Sequence, residues 1–526
     1  MRRLPVFLLL VGLVIGAGFA QERAPETLVY GAGLTPRGML PLLDRNEWNE
    51  VSSAIYSRLF RPDHTGKIVG DLVESYTVSD DGRTYTLKLR KNVQWHDGKP
   101  FTSTDVVFTW DVLFDPKTET SLDLNQPMLE RWEARGPHEV VFYLKYADAG
   151  FLAPLTEVAV LPAHRLKGKD INSPRLDLDP VGTGPYSLFM QHDFRVFVLH
   201  AHPAFHFGAP AFKIIEMRIT PDDDTRAEKL ARGDIHLTQV KPQHIEKLRA
   251  NPKVRVYRMQ TGAWRAMPLN LRRTAMQDAR VRRAIDLAID REAIVKASLA
   301  GIGQAAYSPI PPVSWAYDSL MNSRRYDPAT AAKLLDEAGW KKSEGGNRRK
   351  DGHSLTLKLI VWKEEIFRRT AAEAIRDQLR PLGFDVQLEY VDNTTYNRLA
   401  GSAGEEYDSF IGGWGGLLDP GDNLYKKFHS KGSQNYGAYS NPEVDRRLEE
   451  VRALPPSERE RAKRLYRELV ALLISEAAWI PLVYPEYVFA ADARVTGLGE
   501  FVCDSWYEFP KFAHEWGWQE SAADKR

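Results

Sequence analysis

Residues 412–422 read Gly-Gly-Trp-Gly-Gly-Leu-Leu-Asp-Pro-Gly-Asp. Glycine lets a backbone come close to another group, and Trp414 among these glycines offers a flat apolar face. The chemistry described is grasping, with no bond made or broken. A second glycine turn, Gly31-Ala32-Gly33 followed by Leu34, ends a short apolar strand that starts at Thr27. Arg368 and Arg369 open a predicted helix. The helix dipole disfavours cations there, so their presence asks for another reason. His200, His202 and His206 spell H-x-H-x-x-x-H, residues of metal-ligand type, with His200 and His202 sharing a strand face. Against an enzyme, the chain holds no G-x-S-x-G elbow, H-E-x-x-H zinc motif or Walker loop.

The elements that must position these residues are written in turn chemistry and apolar periodicity. Within 78–110, Asp80-Asp81-Gly82 is a turn. Tyr85, Leu87 and Leu89 then face one way, the period of a half-buried strand. His96-Asp97-Gly98 turns the chain again, and Thr102 to Asp105 form an N-terminal capping box. Val106, Val107, Trp110, Leu113 and Phe114 follow at helical spacing. Strands are predicted over 195–199 and 214–219, and a helix over 226–231. Asp278 and Asp290 cap two further helices, with Arg280, Arg282 and Arg283 expected on a solvated face. Asp327-Pro328 starts another helix, which Gly339 closes. Strand 355–361, helix 365–380, strand 386–390, helix 394–399 and strand 407–411 then predict right-handed βαβ crossovers and a largely parallel sheet. Ligands sit beyond the carboxyl ends of such strands, where residues 412–422 follow. Helix 458–475 and strand 480–484 come last.

The N-terminus reads as a secretory signal, residues 1–20. Arg2 and Arg3 precede an apolar run over 6–15, and Gly18-Phe19-Ala20 offers a cleavage site after Ala20. The run is shorter than the ~20 residues a spanning helix needs. Losing it moves the formal charge of the 526-residue chain from +1 to −1, which favours neither nucleic acid nor anionic lipid. Cys503 is the only cysteine, so no intramolecular disulfide forms. None lies beside the cleavage site to carry a lipid anchor. A freely diffusing, monomeric protein of the periplasm, with no cofactor and no resident metal, is the expectation.

The stretch 78–110 (VSDDGRTYTLKLRKNVQWHDGKPFTSTDVVFTW) closely resembles the peptide/nickel class of bacterial extracellular solute-binding proteins, the receptors that feed ABC importers. Gly182-Thr183-Gly184-Pro185-Tyr186, Gly233-Asp234-Ile235, 278–295 (DARVRRAIDLAIDREAIV) and 326–340 (YDPATAAKLLDEAGW) match the same family in order. The resemblance covers about 27–517. It implies an α/β, two-lobed periplasmic-binding-protein fold whose lobes are joined by a two-strand hinge. Lobe I would take residues 21–262 with an extra subdomain at about 70–185, lobe II residues 263–484, and residues 485–526 would return to lobe I. The crossovers near 264–270 and 482–485 would be the hinge, and the histidine run would fall in an ordinary loop of lobe I, away from the cleft.

The resemblance also implies site residues. Trp414 and Gly415 match the family's cleft tryptophan. Family members that bind free peptides hold the terminal amine with an aspartate about three residues later, where this chain has Leu417, in a loop about one residue short. Asp419, before Pro420, matches a different aspartate of turn-forming type. Either Asp419 shifts into the amine-binding role or the cargo lacks a free amine at that end. Arg368 and Arg369 fall where peptide receptors clamp a carboxylate bidentately. Trp264 and Asn270 at the crossover, and Gly33 and Leu34 from lobe I, are expected to line the pocket. The cargo implied is a peptide or peptide-like solute passed to permease subunits in the inner membrane. A non-peptide ligand, such as an oligosaccharide or metal chelate, and a hydrolase remain the alternatives, as does a sensing role.

Overall fold

The computed structural model describes residues 26–43, 49–120, 128–148, 150–323, 325–401, 406–415, 418–499, 501–503 and 506–519. The expected signal segment, residues 1–20, lies outside them. Among the described residues no helix is long and apolar enough to cross a membrane.

The first lobe is built on an eight-stranded sheet. Its order is Phe501–Cys503, Val254–Thr261, Glu486–Asp492, Leu237–Val240, Thr27–Ala32, Ile214–Ile219, Val196–Ala201 and Tyr186–His192. Thr27–Ala32 runs parallel to both of its neighbours and Phe501–Cys503 parallel to Val254–Thr261, while the remaining pairs are antiparallel. Alternation explains its two faces: Leu28 and Tyr30 pack with Phe197, Leu199 and Met217 on one side, and Val29 packs with Leu230, Ile235 and Val488 on the other.

A four-stranded antiparallel sheet is appended to this lobe, in the order Val73–Val78, Thr84–Leu89, Glu139–Leu144 and Leu129–Ala134. Tyr85, Leu87 and Leu89 point into its core with Trp95, Trp110 and Phe142. The helix covering it, Ser103–Leu113, starts at the capping box read from the sequence. The Thr102 backbone N–H donates to Asp105 at 2.9 Å, and Asp105 also accepts from Trp95 and from the Ala163 backbone.

The second lobe has two main sheets and a small antiparallel one made of Lys341–Lys342, Arg348–Lys350 and His353–Ser354. Asp385–Val391, Thr356–Trp362 and Ser409–Phe410 pair in parallel. Gln304–Ala305, Trp479–Tyr484, Trp264–Pro268 and Gly412–Trp414 form a four-stranded antiparallel sheet beside them. Leu355, Leu357, Leu359 and Val361 are fully buried against helix Ile366–Leu379, as alternation and helical spacing together require.

The largely parallel sheet predicted from the strand–helix–strand pattern over 355–411 is present in Asp385–Val391, Thr356–Trp362 and Ser409–Phe410. Two other sequence expectations need correction. The strand expected over 407–411 is shorter, because the chain leaves the parallel sheet after Phe410 and joins the neighbouring sheet at Gly412. Arg282 is also not solvated. It is buried and donates to the carbonyls of Met276, Gln277 and Glu476, tying its helix to the end of helix Arg459–Glu476.

The chain passes between the lobes at 262–263, between Val254–Thr261 and Trp264–Pro268, and again at Pro485, between Trp479–Tyr484 and Glu486–Asp492.

Candidate functional site

The change of sheet at residue 411 creates the site. Ser409 and Phe410 pair with Leu359 and Ile360 in the parallel sheet. Two residues later Gly412 pairs with Ala266 in the antiparallel one, and Trp414 with Trp264. Glycine is required at the crossing. A Cβ on Gly412 would fall within the Trp414 ring, and one on Gly413 would overlap the Arg265 guanidinium. The half-buried Trp414 ring therefore folds back over its own strand. It is walled by Trp479 at 4.7 Å, Trp264 at 5.8 Å, Tyr436 at 6.2 Å and Phe410 at 6.4 Å. The ammonium of Lys427 lies 5.9 Å above it. Burial pulls the Lys427 amine down to about 7, with Lys426 adding to the shift and Asp422 opposing it.

Beside this aromatic cluster stands a group of charges. Arg368, on helix Ile366–Leu379, stacks over the rings of Trp362 at 4.9 Å and Tyr396 at 4.6 Å. Its Nε lies 2.7 Å from Glu365, and Glu365 is also 4.0 Å from Arg265. Burial lowers the Arg368 pKa from its ordinary value, opposed by Tyr396 and Glu365. Two ring faces and one carboxylate do not use up a guanidinium's five donors, so an edge remains for an anion. The first lobe reaches this group through Tyr487, one residue into strand Glu486–Asp492. Burial raises the phenol's pKa, and Arg265 and Glu365 act on it electrostatically. Arg265, Glu365, Tyr396, Tyr436 and Tyr487 were not singled out from the sequence. Only their proximity to Trp264, Arg368 and the crossing at Pro485 hints at them.

Other expected site residues lie elsewhere. Arg369, next to Arg368, is exposed on the outer face of the helix. Trp264 is fully buried, stacked on Trp479 at 5.8 Å, and is core rather than pocket wall. Asn270 is buried too: its Nδ2 donates to the Tyr407 carbonyl and its Oδ1 accepts from the Arg272 backbone. Both were expected in the cleft because the hinge was read over 264–270, whereas the crossing is complete by Trp264. Asp419 has one oxygen accepting from Trp315 Nε1 at 2.9 Å and the other from the Gly421 N–H at 3.0 Å. It is a turn-former committed to protein donors, and burial raises its pKa. Gly415 is exposed, and Leu417 lies outside the described residues.

In the first lobe Leu34 is 42% exposed, and Gly33 sits against the Arg226 guanidinium, 3.2 Å from where a Cβ would be. Glu50 lies alongside, accepting from the Tyr30 hydroxyl and the Gly33 backbone. Burial raises its carboxyl to about 7, against the pull of Tyr30 and Arg226. The three histidines diverge. His200 stacks on Phe189, His202 meets the Gln94 carbonyl at 3.2 Å, and His206 pairs with Asp71 at 2.8 Å. Among the described residues no group of three or more His, Cys, Asp or Glu is placed to hold a metal ion.

The lobes touch across the cleft. Asp148, from the appended subdomain, accepts from Arg452 Nε of the second lobe at 2.6 Å, and both side chains are buried. The Arg452 guanidinium is flanked by Tyr146 at 5.4 Å and Tyr425 at 4.6 Å. Burial raises the Asp148 carboxyl to about 6, with Arg452 holding it down in part. Gly150 lies against Asp419, Gly82 against Pro455, and Gly66 against Leu418.

Comparison with known proteins gives a consistent picture. Residues 67–436 match the family model described as bacterial extracellular solute-binding proteins, family 5 middle. Protein XP55 of Streptomyces lividans is 31% identical over 481 residues, covering 90% of this chain and 86% of its own. The oligopeptide-binding protein AppA of Bacillus subtilis, solved with a nonapeptide, superposes with a TM-score of 0.75 at 25% identity, over 94% of this chain and 99% of that one. NikZ of Campylobacter jejuni, solved with Ni(L-His), gives 0.79 at 25% identity, over 94% and 100%.

Proposed function

We propose, from the premise that this chain belongs to the bacterial extracellular solute-binding proteins of family 5, that it is the receptor of an ABC importer and captures a peptide or peptide-like solute by closing its lobes. The observation that carries this reading is the convergence of Trp414, Arg265, Glu365 and Arg368 in the second lobe, where Arg265 pairs with Val483 two residues before the crossing at Pro485. An aromatic face beside a partly unsatisfied guanidinium suits an extended chain ending in a carboxylate. The crossings at 262–263 and at Pro485 act as the hinge, the class of transition in which domains shut on a ligand. The closed form is then delivered to permease subunits, and no covalent step is required. The receptor works as a monomer in the periplasm.

With Asp419 engaged by Trp315 and Gly421, the site offers no carboxylate at the position where family members receive a free amine. A buried ammonium left unpaired costs several kcal/mol, roughly 3–5, so the preferred cargo is blocked or extended at that end. The test strips co-purifying ligand by reversible unfolding. The chain is then titrated with free and N-acetylated peptides from two to nine residues long, an oligosaccharide set and nickel–histidine. A change in the fluorescence of the 13 tryptophans together with a raised melting temperature is expected for peptides, stronger for the acetylated ones. A response to the sugars or the chelate alone, or turnover of a peptide, would replace this reading.

A further inference from the structure

A second compartment lies between the lobes, beside Trp315. It is a cavity of about 430 Å³ whose walls include Lys67, Ile68 and Tyr76 from the first lobe and Trp315, Pro456 and Arg459 from the second. Leu418 and Asp419 form its inner edge. The contacts between Gly66 and Leu418 and between Gly150 and Asp419 bound it where the lobes meet. It is distinct from the cluster around Arg368, none of whose members line it.

Its charge is net positive. Arg459 stacks on the Trp315 ring at 4.6 Å, and no ion pair within 4.0 Å to Arg459 or Lys67 is formed among the described residues. The one carboxylate in the wall, Asp419, accepts from Trp315 Nε1 and the Gly421 N–H and feels Arg459 electrostatically, as Asp63 feels Lys67. Two cations from opposite lobes and this single carboxylate thus face a space walled chiefly by Ile68, Tyr76, Trp315, Pro456 and Leu418. A guanidinium held flat on an indole keeps its N–H edges free for an acceptor.

We infer that this compartment is a binding site for an apolar group ending in a carboxylate, such as an aryl-alkyl acid, and that the cargo carries such an arm in addition to the group held at Arg368. The assignment of the arm to the cargo rests on the receptor reading above. The site itself does not, and its test uses no peptide. Because its walls come from both lobes, filling it favours the closed form.

The experiment is calorimetric titration of the ligand-stripped full-length chain with 4-phenylbutyrate and, separately, with its neutral amide. In the Arg368→Met background, where the cleft guanidinium cannot take the probe, the carboxylate is expected to bind to a single site at least tenfold more tightly than the amide. Adding Arg459→Gln or Lys67→Gln, both changes of exposed side chains, should reduce that preference at least threefold. Equal affinity for acid and amide in that background, no heat at about 10 mM probe, or a preference kept when Arg459→Gln is added would each overturn the inference. A chain that binds the probe as expected but answers to no peptide would instead refute the choice of cargo in the receptor reading.

Discussion

At the scale of single residues, Arg368 and Arg369 show how neighbours with the same side chain part company. Both open the same helix, yet one stacks between Trp362 and Tyr396 and the other faces solvent. Replacing Arg368 by Met should weaken binding of a carboxylate-ended peptide by about 10- to 100-fold, since a hydrogen bond to a charged group contributes roughly 1.5–3 kcal/mol. Arg369→Met should change it less than twofold. Titration of both variants checks this. Glu50 makes a second prediction. Its folded-state pKa of about 7 stands above the ordinary 4.5 because burial disfavours the anion. A carboxyl raised on folding contributes stability that is present below the unfolded pKa and is lost as pH rises through the folded one. The wild-type chain should therefore lose up to about 3 kcal/mol from this group between pH 4.5 and 7. Glu50→Gln, which still accepts from Tyr30, should melt progressively higher than wild type as pH rises from 5 to 8. A constant offset between the two melting curves would count against the raised pKa. None of this was legible in the sequence, because Glu50 meets Tyr30, Gly33 and Arg226 only through long-range packing. Trp414 could be singled out, since a tryptophan among glycines stands out. The commitment of Asp419 to Trp315 could not, because 104 residues separate the two partners.

At the scale of elements, local chemistry had most to say. Capping by Asp278, Asp290 and Asp327 is seen in all three helices, and Gly339 follows its helix with a φ of +86°. Such signals are readable because a cap and the helix it starts are neighbours in sequence. The switch of sheets between Phe410 and Gly412 was hidden, because alternation alone does not say which neighbour a strand will pair with. The glycines around Trp414 were read as room for a ligand's approach. Two of them instead make room for Arg265 and for the Trp414 ring itself. Gly412→Ala should thus be the harsher change, because the ring it meets is rigid and packed. A loss of about 1–3 kcal/mol is expected, in the range of overpacked cores. Gly413→Ala meets a flexible arginine. Thermal melting of that variant should stay within a degree or two of wild type, while peptide affinity falls as Arg265 is displaced from Glu365.

At the scale of the whole molecule, the two-lobed plan followed from the family resemblance, and the details of how the lobes meet did not. Asp148 and Arg452 are 304 residues apart, and neither is marked by any local pattern. Their bond joins the appended subdomain to the second lobe, so it belongs to the closed arrangement and contributes nothing within either lobe. Arg452→Ala leaves Asp148 buried without its partner, a change that costs on the order of 3–5 kcal/mol. Affinity should fall at least tenfold, chiefly through faster dissociation, as surface plasmon resonance would resolve. The double variant Asp148→Asn with Arg452→Ala should recover part of the loss, because no ion then remains stranded. Unchanged dissociation in Arg452→Ala would mean the pair has no part in holding the lobes together.

The flanking of Arg452 by Tyr146 and Tyr425 carries a consequence for timing. This fastener shares no member with the cluster around Trp414 and Arg368, so how long a guest stays aboard is fixed partly at a place blind to what the guest is. Homologues with identical pockets but different residues at 148 and 452 would unload the same passenger on different clocks, and the membrane machinery would have to prise open that bolt before taking delivery.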